Sequence, residues 1–128
     1  MTRGTRRSPT GSPMRRGDVY LVDLNPPRGS EADKIRPAVI VSTDAANRAA
    51  GQSRRGVITV VPVTSNVATV YRFQVRIPAG EAGLKVASKA QAEQVRAVDV
   101  TRLTTRIGSL PPARLAKLDA ALRLHLDL

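Results

Sequence analysis

Cysteine and tryptophan are absent from this 128-residue chain, histidine occurs once, and the only aromatic residues are Tyr20, Tyr71 and Phe73. Without cysteine there is no disulfide and no thiolate metal site, and the chain suits a reducing cytoplasm. A lone His125 offers no partner for a two-histidine relay or for a zinc site built on imidazoles, and reads as structural or surface. Neither a GxxxxGK[ST] loop nor a GxSxG elbow occurs. Acidic residues are few, 10 against 21 basic ones. Asp18 and Asp23 flank one strand but fall on opposite faces, so no carboxylate metal cluster is legible. No apolar run approaches the ~18 residues of a transmembrane helix, and the basic N-terminus lacks the apolar stretch of a secretion signal. A core so poor in rings must pack through branched aliphatics, which favours strands.

What is abundant is positive charge. The formal net charge is +11. Arg3, Arg6, Arg7, Arg15 and Arg16 carry +5 before Gly17, leaving +6 for the rest. That excess points first to nucleic acid and second to an acidic protein. Residues 1–14 hold Arg, Thr, Ser, Gly and Pro between Met1 and Met14, and are expected to form a disordered basic extension. Residues 15–128 are read as one domain.

Within the domain, alternation from Asp18 to Leu24 predicts a strand stopped by Asn25-Pro26-Pro27. Ala38 to Thr43 reads as a central strand. Asp44 to Gln52 reads as a helical turn or an ordered loop. Gly56 to Val63 is the longest β-branched run and a third strand, broken by Thr64-Ser65-Asn66. Arg72, Gln74 and Arg76 alternate with Phe73, Val75 and Ile77, as in a half-exposed strand with a basic outer face. Leu84 to Ala90 and Gln91 to Val98 supply one or two more strands, and Arg102 to Ile107 a last one. Pro111 or Pro112 opens a helix. Leu115, Leu118, Leu122 and Leu126 line one of its faces, and Leu124 and Leu128, with Ala121 near them, line another. Two apolar stripes fit contact with the sheet and with a second copy of the chain. The expected fold is mainly β with helical additions, a small, strongly curved barrel closed by a C-terminal α-helix.

With imidazole, thiol and metal chemistry set aside, arginine and hydroxyls remain. RNA brings its own nucleophile, the 2′-hydroxyl. A protein can cleave it by aligning that group with the adjacent phosphate and stabilising the charge that develops. Positioning is worth several kcal/mol, and each well-placed donor about 3–4 kcal/mol. Arginine suits the task because it is planar, always charged and grips two oxygens.

Ordered motifs carry the resemblance that makes this specific. They are Arg16-Gly17-Asp18-Val19-Tyr20-Leu21-Val22-Asp23-Leu24-Asn25-Pro26, Gly29-Ser30-Glu31 with Arg36-Pro37-Ala38-Val39-Ile40-Val41-Ser42, Val61-Pro62-Val63-Thr64, Glu93-Gln94-Val95-Arg96-Ala97-Val98-Asp99 with Arg102-Leu103, and the leucine-rich C-terminal helix. In this order and spacing, over roughly residues 15–128, the chain resembles the MazF/PemK family of toxin ribonucleases. The resemblance implies an SH3-like barrel of the kind shared with CcdB, and a homodimer held in check by an acidic, MazE-like antitoxin segment. It also implies sequence-specific, metal-independent and cofactor-free cleavage of single-stranded RNA to a 2′,3′-cyclic phosphate and a 5′-hydroxyl.

Carried over residue by residue, the resemblance makes Arg36 and Thr64 catalytic. Pro37 forces an extended backbone at Arg36 and projects its guanidinium from a strand entrance; the plainer reading is a salt bridge to Glu31 or Asp33. Thr64 either contacts phosphate or caps a turn. Glu31 either tethers Arg36 or takes the 2′-proton, and Ser30 shares its loop. Ser65 and Asn66 either support Thr64 or touch RNA. Arg28, Lys34, Arg72 and Arg76 are phosphate contacts or solvated charge. Lys89, Gln91 and Gln94 offer donors to bases or are ordinary sheet-surface residues. The rival reading is a binding module without catalysis, either an RNA grip or a CcdB-like gyrase poison, which needs no Arg36–Thr64 pair. The scarcity of aromatics leaves Tyr20, Tyr71 and Phe73 to serve core and surface together.

Overall fold

A computed structural model describes residues 13–24 and 35–128 of the chain. Its strands are β1 (Asp18–Asp23), β2 (Ile35–Ile40), β3 (Val57–Thr64), β4 (Gln74–Ile77), β5 (Ser88–Gln91), β6 (Arg96–Asp99) and β7 (Leu103–Ser109). Helices α1 (Asp44–Ser53) and α2 (Pro112–Leu126) lie among and after them. All pairings are antiparallel, in the order β4-β5-β3-β2-β1-β7, with β6 also on β3. The expected mainly-β barrel with a C-terminal helix is the observed fold.

Alternation along the strands sorts two cores. Val19, Val39, Val61, Val63, Val75, Ile77 and Ala90 share one face and bury Leu118, Ala121 and Leu122 of α2 against it. Val22, Ala38, Ile40, Ile58 and Val60 share the other with Ala50 of α1 and Val98. Met14, assigned to the N-terminal extension, is half-buried against this second cluster.

Several boundaries depart from the sequence reading. The strand expected to run to Thr43 ends at Ile40. The residues beyond it are taken by α1, whose first turn is capped by the Thr43 hydroxyl accepting from the Ala46 amide at 3.2 Å. Asp44 to Ser53 is therefore a full helix. Arg72 and Phe73 lie in a turn ahead of β4, and Leu84 to Ala87 belong to the loop before β5. Ala121 lies in the core, whereas Leu126 is exposed together with Leu124 and Leu128, because the last turn of α2 runs past the sheet.

The β4–β5 connection closes the barrel against β7. Gly83 has φ +79°, and a Cβ on it would lie 2.0 Å from the Ile107 carbonyl oxygen. A Cβ on Gly108 would lie 2.4 Å from the Ala82 carbonyl carbon. Only bare backbone fits on both sides of this contact. The same connection is tied to α2 by a bidentate pair, Arg114 Nε and Nη2 to the two Glu81 oxygens at 2.7 and 3.0 Å. Those hydrogen bonds hold the Glu81 carboxyl below its ordinary value of 4.5. A depressed carboxyl contributes stability above its unfolded value and loses it as the pH falls through the folded one. Glu81→Gln should therefore be less stable than the parent chain near neutrality, with the gap closing below about pH 4.5; urea midpoints measured across the acid range check this.

Candidate active site

The site grows from the end of the β2–β3 ladder. These strands pair in register at Ile40–Val60, Val39–Val61 and Ala38–Pro62. Pro37 and Pro62 each lack an amide to donate, and the ladder stops beside them. Beyond this point β2 is held by β1, through Val22–Arg36, and β3 by β5, through Thr64–Lys89. The two strands thus have different partners where Arg36 and Thr64 stand. Carried two residues further, the β2–β3 register sets Arg36 across from Thr64, on the face shared by Ala38 and Pro62. Lys89 is paired in turn with Arg76 of β4. Thr64, Lys89 and Arg76 thus form one cross-strand row over β3, β5 and β4, and Arg36 falls at the matching position of β2 just past the end of its ladder with β3.

Each member of that row is in a different state. Arg36 is exposed. Thr64 is half-buried, and its hydroxyl oxygen accepts from the Asn66 amide at 3.2 Å, which leaves the hydroxyl proton available as a donor. Lys89 is buried. Its ammonium donates to the Thr69 carbonyl and lies 5.9 Å from the centre of the Tyr71 ring, so it holds the 65–73 loop in place. Arg76 is exposed. Among the described residues Arg36, Arg72 and Arg76 take part in no ion pair, whereas Arg16, Arg106 and Arg114 are matched with Asp119, Asp18 and Glu81. Among the described residues Arg36 and Arg76 therefore stand without an ion-pair partner and with a hydroxyl between them, an arrangement suited to phosphodiester oxygens.

The other expected residues fall as follows. Ser65 and Asn66 are exposed directly after Thr64, and the Asn66 side-chain oxygen accepts from the Ala68 amide at 3.3 Å, shaping the turn. Arg72 and Arg76 line a cleft of about 430 Å³ between β4 and α2, with Lys117 and Leu124. Gln94 is exposed at the end of a 3-10 turn, Ala92–Gln94. Arg28, Ser30, Glu31 and Lys34 lie outside the described residues. His125 is exposed, 6.4 Å from the Phe73 ring. Gln74, expected on the outer face with Arg72 and Arg76, is buried instead, because its side chain accepts from the Tyr71 amide at 3.0 Å and donates to Glu93 at 2.8 Å. Nothing in its spacing marks it. Among the described residues no three His, Asp or Glu side chains converge on one point.

Residues 15–126 match the family model described as PemK-like, MazF-like toxin of type II toxin–antitoxin systems. Endoribonuclease MazF9 of Mycobacterium tuberculosis is 59% identical over 115 residues, covering 90% of this chain and 98% of that protein. The chain belongs to the PemK/MazF toxin family. It is a MazF-type endoribonuclease toxin. Endoribonuclease EndoA of Bacillus subtilis is 34% identical over 90% of this chain and 96% of its own length. The crystal structure of MazF from Deinococcus radiodurans superposes with a TM-score of 0.71 at 27% identity, covering 91% of this chain and 98% of that one. A mycobacterial endoribonuclease in complex with its cognate antitoxin gives the same score at 23% identity over 90% and 96% of the two chains, a likeness of fold.

Proposed function

We propose that this toxin cuts single-stranded RNA at preferred sequences, without a metal, by in-line attack of a ribose 2′-hydroxyl on its own 3′-phosphodiester. The bond from the 2′-oxygen to phosphorus forms as the bond to the 5′-oxygen breaks. The 2′-proton leaves to a base, and the 5′-oxygen gains a proton. The products are a 2′,3′-cyclic phosphate and a 5′-hydroxyl end. Arg36 grips the phosphoryl oxygens and stabilises the extra charge. A guanidinium that keeps its charge suits stabilisation and donation toward the leaving oxygen better than base action. Thr64 donates its hydroxyl proton to a phosphoryl oxygen.

The observation that carries this reading is the placement of Arg36 and Thr64 on one face, where β2 and β3 part company, without a carboxylate to neutralise the guanidinium among the described residues. Arg28, Ser30, Glu31, Lys34, Ser65, Asn66, Arg72 and Gln94 contact the RNA, with Lys89 bracing the 65–73 loop. An acidic antitoxin segment competes for the same basic face. Two copies of the toxin associate through the exposed leucines of α2, and the protein acts in the cytoplasm.

Incubating the protein with a long unstructured transcript in EDTA tests the reading. Discrete fragments bearing 5′-hydroxyl and cyclic-phosphate ends are expected. RNA that shifts on a gel but stays whole would favour the binding module, and cleavage that waits for a divalent cation would overturn the mechanism.

A further inference from the structure

We propose that Tyr71 is a nucleobase-stacking site beside Thr64, an inference that rests on the RNA-cleaving reading and adds a recognition element to it. The ring has the exposure such a site needs. Of the three aromatic side chains Tyr20 and Phe73 are half-buried, whereas Tyr71 is 54% exposed. A single exposed ring is ordinary on protein surfaces. This one is distinguished by how firmly it is held.

Phe73 stacks on the Tyr71 ring with centroids 5.4 Å apart and planes 9° from parallel. Phe73 is itself 6.4 Å from the His125 ring at the end of α2. The backbone is latched twice to Gln74. The Tyr71 amide donates to the Gln74 side-chain oxygen at 3.0 Å, and the Gln74 amide donates to the Tyr71 carbonyl at 2.8 Å. Gln74 is buried and anchored to Glu93. The ring is therefore ordered before any ligand arrives, which removes much of the entropy loss of binding.

Its position follows from Lys89. That residue is the cross-strand partner of Thr64, and its ammonium reaches both the Thr69 carbonyl and the Tyr71 ring. A phosphate held at Thr64 thus has a platform one lysine side chain away. Arg72 and Arg76, exposed on the same segment, can follow the backbone of the strand. Fixed rings interleaved with cations are how proteins hold single-stranded nucleic acid, and the π-face of any base can be accepted. The ligand is therefore a base close to the scissile phosphate, gripped by its face and not by its edge.

The test uses the full chain, an RNA cut by the wild type, and the same RNA blocked by a 2′-O-methyl group at the mapped cleavage site. Tyr71→Phe should bind the blocked RNA within about 3-fold of wild type. Tyr71→Leu, which keeps apolar bulk but has no ring, should bind about 10- to 100-fold more weakly. The loss should appear in KM more than in kcat. Because the chain has no tryptophan, tyrosine emission can be read directly. Blocked RNA should quench it in the wild type and leave it largely unchanged in Tyr71→Leu, where Tyr20 alone emits. Equal binding by the Phe and Leu variants would overturn the stacking site while leaving the endoribonuclease reading intact. A change in native mass in Tyr71→Leu would also overturn it, assigning the ring to a contact between copies. A wild type that neither binds nor cuts single-stranded RNA would remove both readings.

Discussion

Arg36→Ala is expected to lower kcat/KM for RNA cleavage about 10³-fold while leaving the urea midpoint of the protein unchanged. The two halves of that statement have separate causes. Arg36 is exposed at the entrance of β2, and its backbone pairing to Val22 does not involve its side chain. Truncation therefore removes no core contact. The guanidinium does not relieve a carboxylate among the described residues either, so its loss strands no buried charge. On the proposed mechanism what disappears is a fork of donors for the phosphate, worth most when charge builds up in the transition state. Arg36→Lys keeps the charge but loses the planar fork, and should remain well below wild type. Thr64→Val preserves shape and removes one donor, for a loss of about 10²-fold. The double variant should fall short of the product of the two losses, since the proposed mechanism has both groups act on one phosphate. Cleavage by Arg36→Ala at the wild-type rate would end the assignment of this site.

The sequence made some of this legible and hid the rest for physical reasons. The β-branched run from Val57 and the prolines ahead of α2 announce their elements, because composition alone decides them. Helix α1 was harder to see because the residues it buries are Asn47 and Ala50. A buried asparagine, satisfied by Ser42, erases the apolar stripe that would reveal a helix. Strand β5 lies where a strand was expected, over Leu84 to Ala90, but begins only at Ser88. Ser88, Lys89 and Ala90 are all buried, yet no alternation of apolar and polar residues marks them. Lys89 can be buried only because the Thr69 carbonyl, far away in sequence, meets its ammonium. A helical projection separated the faces of α2 but could not tell where the sheet beneath it ends, so Leu126 and Ala121 exchanged roles. At the site, Arg36 and Thr64 were visible as strand ends next to proline and polar loops. That they share a face follows from a strand register which pairing fixes and spacing does not. Tyr71 and Gln74 form a unit only through the turn between them.

The largest stability effect is expected from one methyl group at Gly83. Gly80 and Gly83 lie in the same connection with similar backbone angles, φ +88° and +79°. A Cβ at position 80 meets nothing within 4 Å, so Gly80→Ala carries only the left-handed strain, about 1–2 kcal/mol. At position 83 the same strain is joined by a collision with the Ile107 carbonyl, whose oxygen would be 2.0 Å from the new carbon. Ile107 is the extra residue where the β1–β7 register shifts, and the pairs on either side of it, Tyr20–Arg106 and Val19–Gly108, limit how far its carbonyl can move. Overpacking against fixed backbone costs about 1–3 kcal/mol or more. The combined loss is about 2–5 kcal/mol, a large part of the roughly 5–15 kcal/mol that holds a small domain together. It should lower the melting temperature by about 10 °C or more. Thermal melts of the two variants measured side by side isolate the clash from the backbone strain. If Gly83→Ala melts no lower than Gly80→Ala, then the loop does not clamp the barrel. A wide gap between them means that the two ends of the sheet, β4 with β5 and β7 with β1, are joined through bare backbone. The row from Arg36 to Arg76 spans the strands between those ends, so its spacing depends on the barrel staying closed there.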